Sequence, residues 1–212
     1  TDKELQEVLS VAVQTDKEIP LVYNQPSMSD DVLPMLQMAA LGGENICAVL
    51  CEIFILNQHH ITYDKEKLFD TAREKGWLKP KGTPLYCLGN LLAFSGLLIN
   101  RKFDASLDDI RQAIADDCDV IVGVDREKLY AEEVDLEDLT NHAVVVTGIG
   151  GDHVLVFDPY EAQTTSQIPI SDFLNAWKES HNYMIKVLHS IKDYEPHPIN
   201  VDSIPLNGDL EQ

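Results

Sequence analysis

The densest hydrophobic stretch of the chain is Asn45-Ile46-Cys47-Ala48-Val49-Leu50-Cys51-Glu52-Ile53-Phe54-Ile55-Leu56, which is apolar on nearly every side rather than along one stripe. A helix of that kind lies buried in the centre of a domain. Gly42-Gly43-Glu44 precedes it, and Asn45 is the expected N-cap. Elsewhere the pattern is amphipathic. Leu5, Val8, Leu9 and Val11-Ala12-Val13 recur near helical spacing within residues 2–14, and further helices are predicted over 64–74, 84–94, 106–115 and 171–179. Strand signals follow: 97–103, a fully buried β-branched run over 119–125, two apolar segments flanking Gly150-Gly151-Asp152, and a closing strand over 183–188. Helices first and strands afterwards predict an α+β fold, with a central helix packed against an antiparallel β-sheet. Three segments are expected: an N-terminal helix and loop over 1–30, one domain over 31–192, and a mobile tail over 193–212 rich in Pro, Asn and Asp.

Composition narrows the function. The 212 residues are 44% hydrophobic and 25% charged, enough apolar material for a substantial core. The 36 acidic side chains against 16 basic ones give a formal charge of -20, which repels phosphates and argues against nucleic acid and anionic membranes as partners. No apolar run reaches the roughly 18 residues of a membrane span. The start, Thr1-Asp2-Lys3-Glu4, is neither an initiator methionine nor a signal peptide, so a processed form or a piece of a longer protein is expected. Cys47, Cys51, Cys87 and Cys118 form no CxxC and no disulfide framework, and a reducing, cytoplasmic setting is the simpler expectation. Cys47 and Cys51 with His59 and His60 carry ligand chemistry, but a Cys-x3-Cys spacing without a second cysteine pair is a poor zinc template.

A different chemistry fits Cys47 better. If Asn45 caps its helix, Cys47 sits in the first turn, where unpaired N–H groups and the helix dipole favour a thiolate. A thiolate is the nucleophilic form. His142 opens a strand, from whose end its side chain can project toward a facing helix. Asp158 ends the next strand, where its bond to Pro159 also suits a turn. With a three-residue loop, Gly150-Gly151-Asp152, Ile149 opposes His153 and Val144 opposes Asp158, so Asp158 shares a face with His142. A two-residue loop would put them on opposite faces. On one face, the carboxylate can fix the imidazole's tautomer and orientation. Cys51, Cys87 and Cys118 read as packing residues.

Asn45-Ile46-Cys47 opening a buried helix, a Val-Ile-Val strand, then His142-Ala143-Val144-Val145-Val146-Thr147-Gly148 and Val156-Phe157-Asp158-Pro159 resemble the papain-like cysteine peptidases of the bacteriocin-processing (double-glycine) type, and more specifically their stand-alone relatives without a transporter. The resemblance spans roughly residues 37–188. It implies a papain-like fold with Cys47 as nucleophile, His142 as general base, Asp158 as orienting residue and Gln37 as oxyanion donor beside the Cys47 amide. One missing oxyanion donor typically costs about a hundred- to a thousandfold in rate. It implies a peptide or protein substrate and no metal or organic cofactor. The sequence departs from the family after the nucleophile, where Ala48-Val49-Leu50 replaces Gly or Glu, Pro or Ala, and a small hydroxyl residue. The gap between Gln37 and Cys47 is also long. A catalytically silent peptide- or protein-binding relative, and an amidase or other acyl-transfer enzyme with the same triad, stay open. The stretch from Gly76 to Gly96 is expected to form one wall of the site.

Overall fold

A computed structural model describes residues 45–131, 142–161 and 165–188. The expected N-terminal helix, Gln37, most of the acidic 131–138 loop and the C-terminal tail lie outside those residues.

The apolar stretch forms helix α1 (Cys47–Gln58), in which every residue from Cys47 to Leu56 is buried. Its N-cap is Ile46 and not Asn45, and no side chain caps it. Helix α2 (Lys65–Glu74) starts where the Asp64 side chain accepts from the Lys67 N–H. The single helix expected over 84–94 is instead broken into a 3-10 turn at Leu85–Cys87 and a short helix α3 (Asn90–Phe94). Gly89 lies between them at φ +84°, a left-handed conformation that most side chains resist. Strand β1 (Leu98–Lys102), helix α4 (Leu107–Ala115) and strand β2 (Asp119–Val124) follow, α4 opening with a Ser106–Asp109 capping box. Asp125 caps the one-turn helix α5 (Arg126–Leu129). The chain continues through β3 (His142–Gly150), β4 (His153–Phe157), β5 (Thr165–Pro169), α6 (Ile170–Trp177) and β6 (Met184–Leu188).

The strands form one sheet in the order β1-β6-β2-β3-β4-β5, with every neighbour antiparallel. Alternate residues face opposite sides and build two cores. Ile121, Ala143, Val145, Phe157 and Ile185 pack with α1, α2 and α3. Val120, Val122, Val144, Val146 and Val156 pack with α4 and α6, around Phe173 and Trp177. Strand β5 had no clear signal because only Ile168 in it is buried, as suits a sheet edge.

The β3–β4 hairpin corrects the expected turn. Gly150 pairs with His153, so the loop is the two residues Gly151-Asp152, with Gly151 at φ +57°. Continued unbroken, that register would set Asp158 opposite Val145, on the α1 face. A β-bulge intervenes: Gly148 pairs with Leu155 but Val146 with Val156, leaving Thr147 as the extra residue. Phe157 then opposes Val145, and both enter the α1 core. Continuing the register one step sets Asp158 opposite Val144, the expected partner reached by an even turn plus one bulged residue.

Candidate active site

Three of the four residues singled out from the sequence come together at one end of the sheet. Cys47 is the first residue of α1 and is buried, His142 the first of β3 and Asp158 the first after β4. His142 Nε2 lies 2.8 Å from Asp158 Oδ1, an ion-pair contact short of ideal hydrogen-bond alignment. That leaves Nδ1 as the nitrogen available to Cys47, with which the ring also interacts. Gln37 lies outside the described residues.

Electrostatics reinforce the grouping. Burial alone would drive the His142 pKa down. The charge of a Cys47 thiolate, the Asp158 contact, a hydrogen bond with Cys47 and the Asp158 charge outweigh it and raise the value to about 9. For Asp158, burial opposes ionisation, but His142, the Tyr160 N–H and the Tyr130 hydroxyl hold its pKa below the ordinary carboxylate value. A fully buried carboxylate persists as a charge only when satisfied in this way. Asp158 Oδ2 accepts from the Tyr130 hydroxyl at 2.8 Å, and Oδ1 accepts from the Tyr160 N–H at 2.8 Å.

Two tyrosines and an asparagine were not anticipated in these roles. Tyr160 stacks obliquely near His142, with ring centroids 5.1 Å apart. Its hydroxyl donates to Asn45 Oδ1 at 2.7 Å and accepts from the Ile46 N–H at 3.2 Å. Asn45 Oδ1 also accepts from the Cys47 N–H at 3.4 Å, a long contact two residues along the chain. Tyr160 therefore ties the segment carrying Asp158 to the start of the nucleophile helix. Burial pushes the pKa of Tyr130 and Tyr160 above the ordinary tyrosine value, so both stay protonated donors at neutral pH. The sequence did carry one clue, the adjacency of Tyr160 to the Asp158-Pro159 turn. Tyr130 is 28 residues from its partner and left no local signal.

A cavity of about 100 Å³ opens beside Cys47 and His142, with Leu85 and Leu88 on its far wall. The expected wall from residues 76–96 is thus present. Behind it, the buried Glu52 side chain on α1 accepts from the Leu91 N–H at 2.9 Å and the Leu92 N–H at 3.1 Å through one oxygen. Burial raises its pKa to about 7 against those hydrogen bonds, one to Gly89 and the Arg101 charge. The zinc constellation does not assemble. His59 lies at the other end of α1, about 18 Å from Cys47 at helical rise, and its Nε2 is 2.8 Å from Asp119 Oδ2. Cys51 Sγ donates to the Ala143 carbonyl at 3.3 Å. Among the described residues no group of three metal-ligating side chains occurs, and no helix is long and apolar enough to cross a membrane.

The family model described as the Peptidase_C39 like family matches residues 29–185, most of the chain. The chain belongs to this family. Among solved structures, a C39-like peptidase from Bacillus anthracis is similar at TM-score 0.53 and 18% identity, covering 67% of this chain and 88% of its own. A double glycine motif protease from an AMS/PCAT transporter, solved in complex with the leader peptide, gives TM-score 0.47 and 14% identity, covering 66% of this chain and 82% of its own. No curated protein matches significantly. The fold is α+β and papain-like, as the C39 resemblance implied. Family and fold together place the protein among cysteine-peptidase relatives at the level of hydrolase class.

Proposed function

We propose that this C39-like protein is a thiol hydrolase that cleaves peptide bonds, with Cys47, His142 and Asp158 as its triad. The observation that carries the reading is the buried His142 ring, set against Asp158 through Nε2 and left open to Cys47 at Nδ1. The Cys47 thiolate attacks the scissile carbonyl carbon, and the carbonyl electrons move to oxygen. His142, protonated in the resting pair, gives its Nδ1 proton to the leaving amine as the tetrahedral intermediate collapses to a thioester. Water then attacks the thioester with His142 as base, and the proton it takes returns the pair to its resting state as the acid product leaves. Asp158 holds the imidazolium orientation throughout, and Tyr130 and Tyr160 hold Asp158.

The oxyanion needs donors. We assign these to the Cys47 N–H, which must exchange its long contact with Asn45 Oδ1 for the substrate oxygen, and to Gln37. No step requires a metal or organic cofactor. Incubation with a mixture of peptides of diverse sequence, followed by mass spectrometry, tests the assignment. Cleavage products are expected with the wild type and not with Cys47→Ala. Identical product profiles for the two proteins would refute it. Rapid alkylation of Cys47 without any cleavage would move the assignment to a non-peptide amide substrate.

A further inference from the structure

The wall of the cavity facing Cys47 is braced at several points. Lys79 and Gly82 close a tight turn with two backbone hydrogen bonds, Lys79 N–H to the Gly82 carbonyl at 3.0 Å and Gly82 N–H to the Lys79 carbonyl at 2.8 Å. Pro80 stiffens the turn from within. Gly82 adopts φ +113°, and a Cβ there would meet Asn45 Cβ and the Asn45 carbonyl oxygen at 3.2 Å. The turn is therefore seated against the residue two before Cys47. Pro84 follows at once, leading into the 3-10 turn, and the helix α3 that comes after it is held from behind by Glu52 through the Leu91 and Leu92 N–H groups. Thr83 is held between these fixed points.

Thr83 lines the cavity together with Cys47 and His142. Its Oγ1 is buried and has no hydrogen-bond partner among the described residues. Threonine hydroxyls ordinarily satisfy themselves on neighbouring backbone, and a buried polar atom left unpaired is rare because it forfeits its hydration without compensation. Here that hydroxyl shares a cavity with Cys47 and the His142 ring. The His142 ring is accounted for by proton transfer with Cys47, and Thr83 Oγ1 by no group among the described residues. A hydroxyl both donates and accepts, so it can meet either a peptide N–H or a peptide carbonyl.

We propose that Thr83 is a substrate-positioning residue whose hydroxyl hydrogen-bonds the peptide backbone lying against Cys47. The inference rests on Cys47 being the nucleophile. Acetyl-glycyl-glycinal, a peptide aldehyde that forms a reversible thiohemiacetal with a reactive cysteine, is the probe, and iodoacetamide, which has no peptide segment, is the control. Thr83→Val keeps the shape and removes the hydroxyl, whereas Thr83→Ser keeps the hydroxyl. Aldehyde affinity is expected to fall about 3- to 10-fold in Thr83→Val, the worth of one neutral hydrogen bond. It is expected to return to within about twofold of the wild type in Thr83→Ser, with the wild-type iodoacetamide rate kept in both. Equal aldehyde affinity in Thr83→Val and wild type would overturn the proposal. So would a parallel fall in the iodoacetamide rate, which marks a distorted wall. A wild type whose Cys47 ignores both reagents would remove the nucleophile assignment and this inference with it, an outcome distinct from the other two.

Discussion

Replacing Asp158 by Asn isolates the charge of the orienting group from its shape. In the structure Oδ1 meets both His142 Nε2 and the Tyr160 N–H, while Oδ2 accepts from the Tyr130 hydroxyl. An asparagine can keep its carbonyl at the Oδ1 position and place its amide where Oδ2 was, with the Tyr130 hydroxyl turning to accept. Geometry is thus retained and the negative charge lost. A hydrogen bond to a charged group is worth about 1.5–3 kcal/mol and a neutral one about 0.5–1.5, so the exchange removes roughly 1–1.5 kcal/mol from the imidazolium. That corresponds to about one pKa unit. The His142 pKa, raised to about 9 in the wild type, should therefore fall to about 8. A histidine whose folded pKa exceeds its unfolded value stabilises the fold fully below the unfolded pKa near 6.5, and that stabilisation is lost as pH rises through about 9. In Asp158→Asn the window should close about one unit earlier. NMR titration of the His142 ring measures the shift directly, without any substrate. An unchanged His142 titration in a folded variant would refute the assignment of Asp158 as the partner that holds the cation.

Other consequences are as concrete. Glu52 carries a pKa raised to about 7 by burial, so its ionisation costs stability progressively as pH rises from about 4.5 through 7. The Leu91 and Leu92 N–H groups both donate to one of its oxygens, which a glutamine carbonyl can replace. Glu52→Gln should flatten the fall in urea-unfolding free energy between pH 5 and 8, and an unaltered pH slope would contradict the placement. Tyr160→Phe removes the hydroxyl linking Asn45 and Ile46 to the segment after Asp158. It should cost about 1–2 kcal/mol of stability and slow Cys47 alkylation several-fold, whereas an alkylation rate equal to wild type would deny the clasp. Deleting Thr147 removes the bulge residue, so either β3 slips and exposes its valines or His142 and Asp158 part. Loss of the raised His142 titration is expected in any folded product, and its survival would show that the bulge does not set the register.

How much was legible in the sequence depended on whether a signal was local. The burial of α1 followed from a run that is apolar all round, and β2 from a β-branched run with no polar face. The 84–94 helix was misjudged because Leu85, Leu88, Leu91 and Leu92 keep helical spacing across Gly89, which takes a left-handed conformation. Gly89 does so while packed against Ile99 and Ile185, partners the local pattern cannot supply. Asn45 was placed one residue too far in, since its side chain serves Tyr160, 115 residues away, as well as the Cys47 N–H. The hairpin is the most instructive element. Counting residues between Gly150 and His153 gives the wrong face for Asp158, and only the bulge at Thr147 corrects it. A bulge shifts alternation without leaving a compositional mark, although Gly148 beside it, where a Cβ would lie 3.1 Å from Leu155, hints at the close packing. Tyr130, which holds Asp158 from 28 residues away, was invisible for the same reason as the Glu52 clamp: each is a long-range contact between residues that look ordinary in their own surroundings.

The central claim is that His142 activates Cys47. The second-order rate of Cys47 alkylation by iodoacetamide, followed by mass spectrometry at neutral pH in the wild type and in His142→Ala, tests it most directly. The account predicts that wild-type Cys47 reacts faster than a free thiol and that His142→Ala lowers the rate at least tenfold, about the 1.4 kcal/mol equivalent of losing one charged partner. Equal rates in the two proteins, with Cys47 no faster than a free thiol, would contradict it.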